Sequence, residues 1–248
     1  MSQPPQHPLP TGTDHAPHAA PGRPLPAAVL WDMDGTLVDT EPYWMECEQQ
    51  VIGRAGVRWS REHALTLVGK SLPEAGAIIR DYVLAAGGPA LDPAEVVAEM
   101  LTGVAARVRA VVPWRPGARE LLAATGAAGV PSALVTMSYR SLADAVVELL
   151  PGAFDVVVAG DEVERGKPHP DPYLRAAHLL GVRPGDCVAL EDSPTGVRSA
   201  EAAGCRTVAV PHLVPIEAAP GRSRVPSLTV LDLPALARLR AGEVLDLL

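Results

Sequence analysis

Aromatic side chains are scarce in this 248-residue chain: Phe154 is its only phenylalanine, beside four tryptophans and four tyrosines. A buried core must therefore be packed mainly with Leu, Val, Ala and Ile, and an apolar share of 48% supplies enough of them for one large α/β domain or a core with a smaller insert. Cysteine is also rare. Cys47, Cys187 and Cys205 lie far apart with no CxxC pair, which excludes a disulfide framework or a cysteine zinc site and points to reduced thiols in a cytoplasmic protein. Cationic charge is short as well, with 21 Lys and Arg against 29 Asp and Glu for a net charge of −8. No basic stripe can neutralise a nucleic-acid backbone, so a nucleic-acid partner is not expected. A small anionic substrate remains compatible, because a local pocket of cations and amides can outweigh a distant net charge. No apolar run is long enough to span a membrane, and nothing specifies an oligomeric state.

Proline is concentrated at the start. Residues 1–26 hold Pro4, Pro5, Pro8, Pro10, Pro17, Pro21, Pro24 and Pro26 together with His7, His15 and His18. No hydrophobic segment follows a basic start, which speaks against a secretory signal. The histidines could bind a metal and the Pro5/Pro8 spacing could suit a polyproline reader. A solvated tail with too little apolar surface to order itself is the simpler expectation.

From Ala27 the pattern changes. Short continuous apolar runs at Ala27–Trp31, Pro131–Thr136, Asp155–Ala159, Asp186–Glu191 and Arg206–Val210 suit strands buried on both faces. Helical patterns at Gly117–Ala128, Ser141–Leu150, Asp171–Leu180 and Pro194–Ala203 separate them, several closing on a glycine (Gly129, Gly181, Gly204) that caps a helix easily. This alternation predicts a doubly wound parallel sheet. Leu228–Leu231 is expected as a last edge strand and Pro234–Leu248 as a final helix. Residues 43–112 break the rhythm with helices at Trp44–Ala55, Arg61–Val68, Leu72–Ala86 and Ala94–Val111, the third opened by a capping box of Ser71 and Glu74. The expected organisation is a tail (1–26), an α/β core (27–42 and 113–248) and a small inserted all-α cap domain (43–112).

Ligands in open α/β sheets bind at the carboxyl ends of the strands, so the polar residues following each apolar run are candidates. They are Asp32 and Asp34, Thr136 and Ser138, Asp161 and Lys167, then Glu191, Asp192 and Ser193. Carboxylates, hydroxyls and a lysine in one crevice suit a divalent cation with hard oxygen ligands and a phosphoryl group. Asp32 and Asp34, two apart on an extended chain, would face the same side, and two close carboxylates resist ionising together. Gly35 lets the backbone turn and approach a phosphate closely. An Asp-x-Asp-Gly string also fits a calcium loop, but Thr36-Leu37-Val38 replaces the expected ligand alternation and no helix precedes it.

The run Asp32-Met33-Asp34-Gly35-Thr36-Leu37-Val38-Asp39-Thr40 resembles the first motif of the haloacid dehalogenase-like hydrolase superfamily. Thr136-Met137-Ser138, Gly166-Lys167-Pro168-His169-Pro170-Asp171-Pro172-Tyr173 and Glu191-Asp192-Ser193-Pro194-Thr195-Gly196 resemble its second, third and fourth motifs in order, and the resemblance covers essentially everything after residue 26. The helical insert is similar to that of the phosphoglucomutase and phosphoglycolate phosphatase-like branch. The resemblance implies a Mg²⁺-dependent phosphatase acting on a small phosphorylated metabolite, with sugar phosphates the first expectation, through an aspartyl-phosphate intermediate. It implies Asp32 as nucleophile and Asp34 as general acid and base. Lys167 and Thr136 would hold the phosphate, helped by Ser138 and by backbone amides near Met33 and Gly35. The metal would take the Asp32 carboxylate, the Asp34 backbone carbonyl and Asp192, with Glu191 either a ligand or one step removed. Glu41, Tyr43, Trp44 and, on the cap loop at Gly69, Lys70 are the substrate-facing candidates. Met137 departs from the asparagine of many relatives.

Other polar residues have plainer readings. Ser138 could instead cap the following helix, Asp171 could cap the helix at Pro172, and Asp39 could serve the cap hinge or a turn. Asp161, Glu162, His169, His178 and Arg140 fit structural or solvated roles. Among rival functions, a sugar-phosphate mutase of the β-phosphoglucomutase kind would place a histidine where this chain has Trp44 and a cap arginine where it has Leu72. A haloacid dehalogenase would lack the second aspartate, which is present as Asp34. A non-catalytic binding protein on this fold would be expected to lose the nucleophile or its partner.

Overall fold

The computed structural model describes residues 24–68 and 70–248. Most of the expected proline-rich tail, and Gly69 of the cap loop, therefore lie outside the described residues. The five expected core strands form as β1 (Ala28–Trp31), β2 (Ser132–Val135), β3 (Val156–Val158), β4 (Cys187–Glu191) and β5 (Arg206–Ala209), and a short sixth, β6 (Ser223–Arg224), joins them. All pair in parallel, in the order β3-β2-β1-β4-β5-β6. Chain order runs outward from β1 on one side and then crosses back to β4 on the other. The β1/β4 boundary is the switch point at which such sheets bind ligands.

The apolar runs are continuous because both sheet faces are covered. Val29 and Trp31 of β1 join a core with α5 (Ala118–Ala127), α6 (Arg140–Val147) and α9 (Leu233–Arg240), whereas Ala28 and Leu30 join one with Tyr173 and Ala176 of α7 (Asp171–Leu179) and Ala200 of α8 (Pro194–Ala202). Gly129, Gly181 and Gly204 all take positive φ just beyond helices, as expected.

Between β1 and α5 lie four helices, α1 (Glu41–Arg54), α2 (Arg61–Leu65), α3 (Leu72–Ala85) and α4 (Pro93–Ala110). Their apolar faces, among them Ile52, Ile79, Met100 and Val104, close on one another. Two backbone hydrogen bonds tie the entering and leaving strands of this insert together, from Asp39 N to Pro113 O at 2.7 Å and from Arg115 N to Leu37 O at 3.0 Å. No helix among the described residues is long and apolar enough to cross a membrane.

Three local expectations are corrected. Leu228–Val230 is a 3₁₀ turn and not a strand, because Ser227 Oγ accepts from Thr229 N and the segment lies against Gly117, where a Cβ would meet Thr229 N at 2.5 Å. The edge strand is β6 instead. The last helix ends at Arg240, since Gly242 adopts φ 93° and the remaining residues run beside β6, with Arg224 N donating to Leu245 O and Leu247 N to Arg224 O. Ser71 does cap α3 by accepting from Glu74 N, but the Glu74 carboxylate takes Lys70 Nζ at 2.7 Å and leaves the capping box half made.

Candidate active site

Strand register alone brings the charged residues together. Trp31 pairs with Leu190 on one side and Leu134 on the other, so Asp32 emerges level with Glu191 and Val135. The Asp32 amide donates to Leu190 O at 3.0 Å and continues the ladder for one step. Gly35 then turns at φ 90°, and a Cβ there would collide with the Asp192 carboxylate, so only glycine lets the two loops meet.

At the centre is Lys167, its side chain 4% exposed. Nζ lies 2.6 Å from Asp32 Oδ1 and 2.6 Å from Glu191 Oε1, and it donates to Val135 O at 2.9 Å. Tyr173 closes the arrangement: its ring lies 5.2 Å from Nζ and its hydroxyl donates to Glu191 Oε1 at 2.7 Å. Ser193 Oγ donates to Glu191 Oε2 at 3.2 Å while accepting from Gly196 N as the cap of α8. Glu191 is thus fully buried and shared by Lys167, Tyr173 and Ser193. A Cβ on Gly196 would collide with its carboxylate.

Asp34 is held by hydroxyls. Thr40 Oγ1 donates to Oδ1, and Thr136 Oγ1 and Ser138 Oγ donate to Oδ2 at 3.2 and 2.8 Å. Ser138 therefore faces the site and does not cap α6, whose N-cap Tyr139 makes no side-chain cap. Met137, the departure in the second motif, seats the lysine loop: its Sδ accepts from Lys167 N at 3.0 Å. Met33 is buried beneath the loop, its carbonyl accepting from Leu37 N and Val38 N.

The electrostatics follow from crowding. Burial and the Glu191 charge raise the Asp32 carboxyl to about 7 despite the opposing pull of Lys167. Burial, with Asp32 and Glu191 beside it, lifts Asp192 well above the usual carboxylate range. Lys167 is lowered by burial but raised more by Asp32 and Glu191, so its ammonium form is favoured.

The donor set fits a hard divalent cation. Carboxylate oxygens of Asp32, Glu191 and Asp192 lie within 4.8 Å of one another, all donors are oxygen, and Asp32 Oδ2 is buried with no hydrogen-bond partner among the described residues. An ion there would give that oxygen its partner and draw down the raised carboxyls. A pH signature follows. In ion-free protein, folded Asp32 holds a proton up to about 7 that the unfolded chain releases near 3.8, so folding stability falls as pH rises through that window. A divalent cation such as Mg²⁺ would bind the ionised form, so its addition should raise the melting temperature by a few degrees or more at about pH 8 but by much less at about pH 5.5. Melting with Mg²⁺ and with EDTA at the two pH values checks this, and equal shifts would contradict it.

A cavity of about 300 Å³ opens from these residues toward α1, α3 and α4. Glu41, Trp44 and Lys70 line it, but Tyr43 does not: its hydroxyl donates to Val111 O. Of the plainer readings, Arg140 pairs with Asp144 and Glu162, Asp161 accepts from Arg140 N, and Asp171 pairs with Arg165 and does not cap its helix. His212, 3.0 Å from Asp39, and Glu48 also line the cavity and escaped the sequence reading. His212 follows the end of β5 closely, as the other site residues follow their strands. Glu48 is an acid on the buried face of α1, detectable as a charge breaking an apolar stripe.

Comparisons with known proteins identify the family and the fold. The family model for haloacid dehalogenase-like hydrolases matches residues 26–204. Hexitol phosphatase A of Escherichia coli is 36% identical over 192 residues, covering 73% of this chain and 81% of that protein. The bifunctional riboflavin kinase/FMN phosphatase of Arabidopsis thaliana is 35% identical over 193 residues and 76% of this chain, which spans about half (49%) of that longer protein. Among solved structures, CbbY from Rhodobacter sphaeroides in complex with phosphate superposes with a TM-score of 0.73 at 29% identity, covering 83% of this chain and 96% of that one.

Proposed function

The chain belongs to the haloacid dehalogenase-like hydrolase family and is a phosphoric monoester hydrolase; we propose that it is Mg²⁺-dependent, acts on a small sugar phosphate and works through an aspartyl phosphate on Asp32. The observation that carries the proposal is the Asp32 carboxylate, with Oδ1 fixed by Lys167 and Oδ2 buried without a partner beside Asp192.

Asp32 attacks phosphorus as the ester oxygen leaves, and Asp34 gives that oxygen its proton. Asp34 then takes a proton from the water that hydrolyses the acyl phosphate, which releases phosphate and regenerates Asp32. The hydroxyls of Thr40, Thr136 and Ser138 hold Asp34 toward the nucleophile. Lys167 brings positive charge to the non-bridging oxygens, backbone amides near Met33 and Gly35 donate to them, and Thr136 and Ser138 would turn their hydroxyls from Asp34 to the phosphate once it binds. Asp32, Asp192 and the Asp34 carbonyl would hold Mg²⁺, which would offset the negative charge gathered by phosphate and carboxylates. Glu191, shared by three donors, orients Lys167 and stands next to that ion. The four inserted helices serve as a cap that walls the leaving-group side of the cavity, and the buried, unpaired cysteines suit a cytoplasmic setting.

Phosphate release from a panel of phosphorylated metabolites, with Mg²⁺ and with EDTA, tests the reading. Sugar phosphates should be hydrolysed only with the ion. Interconversion of a hexose phosphate with little phosphate released would favour a mutase instead, an outcome Trp44 in the cavity wall argues against.

A further inference from the structure

The cavity has two chemically distinct ends. Its strand end gathers Asp32, Lys167 and their neighbours, whereas its cap end sets the apolar Trp44, Leu72 and Met100 beside two carboxylates, Glu41 and Glu48, with Lys70 and Ser71 on the cap loop. These acids stand seven residues apart on α1, two helical turns, and so share one face. Glu48 is 4% exposed, and its one side-chain hydrogen bond among the described residues comes from Trp59 Nε1 to Oε2 at 2.9 Å. Glu41 is half-buried and makes no side-chain hydrogen bond or ion pair among the described residues. Burial raises both to about 7, with Glu48, Asp34 and Asp39 adding to the rise at Glu41.

Among the described residues, each basic side chain lining the cavity already has an acidic partner. Of the basic residues lining the cavity, Lys167 is held between Asp32 and Glu191, Lys70 is paired with Glu74 at 2.7 Å, and His212 lies 3.0 Å from Asp39. The cap end thus offers two acceptors and apolar surface, and the lysine on it, Lys70, is shared with Glu74. Hydroxyl groups donate into such a wall, while above about pH 7, where both acids are ionised, a second phosphate or a carboxylate would meet like charge in a partly desolvated space.

We propose that Glu41 and Glu48 select the leaving group, accepting hydroxyls of an uncharged polyhydroxylated alcohol and rejecting esters that carry a second anionic group. This rests on the phosphatase reading above and narrows it to monophosphates of neutral polyols or sugars. Trp59 is a positioning residue in this scheme. His63 stacks on it at 5.2 Å and Tyr82 meets it edge-on at 4.9 Å, fixing the indole that holds Glu48.

The test compares kcat/KM of the full-length enzyme with Mg²⁺ on sorbitol 6-phosphate, fructose 1,6-bisphosphate, 2-phosphoglycolate and p-nitrophenyl phosphate. The wild type should prefer sorbitol 6-phosphate to the bisphosphate and to phosphoglycolate by roughly 100-fold. Glu41→Gln and Glu48→Gln should each lower that ratio by about tenfold, and Trp59→Phe, which keeps the ring but removes the donor, by a few-fold. The ratio is internal to each variant, so partial loss of folded protein does not mimic the effect. A wild-type preference under about tenfold, or a ratio unmoved in both glutamine variants, overturns the proposal. Turnover of p-nitrophenyl phosphate alongside either result leaves the phosphatase reading standing, whereas no turnover of any ester overturns both.

Discussion

Asp32→Asn is expected to lower phosphate release by at least roughly 10³-fold while leaving the protein folded. The exchange is nearly isosteric, and Lys167 keeps two of its acceptors, Glu191 Oε1 and Val135 O. On the proposed mechanism, what is lost is the nucleophile, together with one oxygen of the acidic cluster. The same change removes a buried carboxyl that is hard to ionise beside Glu191, so the ion-free variant should melt no lower than the wild type at about pH 8. Its melting temperature should also lose most of its response to Mg²⁺, because Asp192 and Glu191 remain without their third partner. Rapid acid quenching with a labelled substrate separates the roles. Wild type should carry acid-stable, base-labile phosphate on protein and the variant none. Residual activity within tenfold of wild type would refute Asp32 as nucleophile.

This prediction was open to the sequence because strand ends can be read locally. A buried apolar run that stops at Asp32, and others that stop near Thr136 and Glu191, place these residues at one crevice once the sheet is parallel and doubly wound. Lys167 is different. It follows β3 by nine residues, and its seat depends on Met137 Sδ, the Tyr173 ring and Glu191, contacts between segments that no spacing rule connects. The substrate-facing wall was legible only in part. Glu41 follows the first motif directly, but Glu48 acquires meaning only when α1 turns it into the cavity and Trp59 of the next loop reaches it. The errors at the C-terminus have the same origin. Leu228–Leu231 and the final residues carry apolar patterns, but Ser227, Gly117 and Gly242 decided their conformation through local hydrogen bonds and tertiary contact.

Lys167→Met should be the most damaging single change, costing both activity and stability. The methionine fills similar volume but leaves Asp32, Glu191 and Asp192 gathered with no cation among them. Removing one partner of a buried ion pair costs about 3–5 kcal/mol, because the remaining charge is neither solvated nor paired. Here two carboxylates lose their partner at once, although Tyr173 and Ser193 still donate to Glu191. Asp32 is already raised to about 7 with the lysine in place, and without it will rise further. The folded variant then keeps a proton on Asp32 above about pH 7 where the folded wild type releases it, so the penalty grows as pH rises past about 7. The variant's deficit should therefore be smaller at about pH 5 than at about pH 8. Mg²⁺ should recover part of that stability at about pH 8, but not the turnover, because the ion does not replace the ammonium that orients Asp32 and that, on the proposed mechanism, offsets the charge of the phosphate. Lys167→Arg should fail as well: a planar guanidinium cannot reproduce three contacts converging on one nitrogen within 2.6–2.9 Å against the Tyr173 ring. Denaturant unfolding at the two pH values, with and without Mg²⁺, and steady-state phosphate release read the two losses separately. Activity of Lys167→Met within about tenfold of wild type, or a stability loss independent of pH, would show that the lysine neither anchors the carboxylates nor serves the reaction.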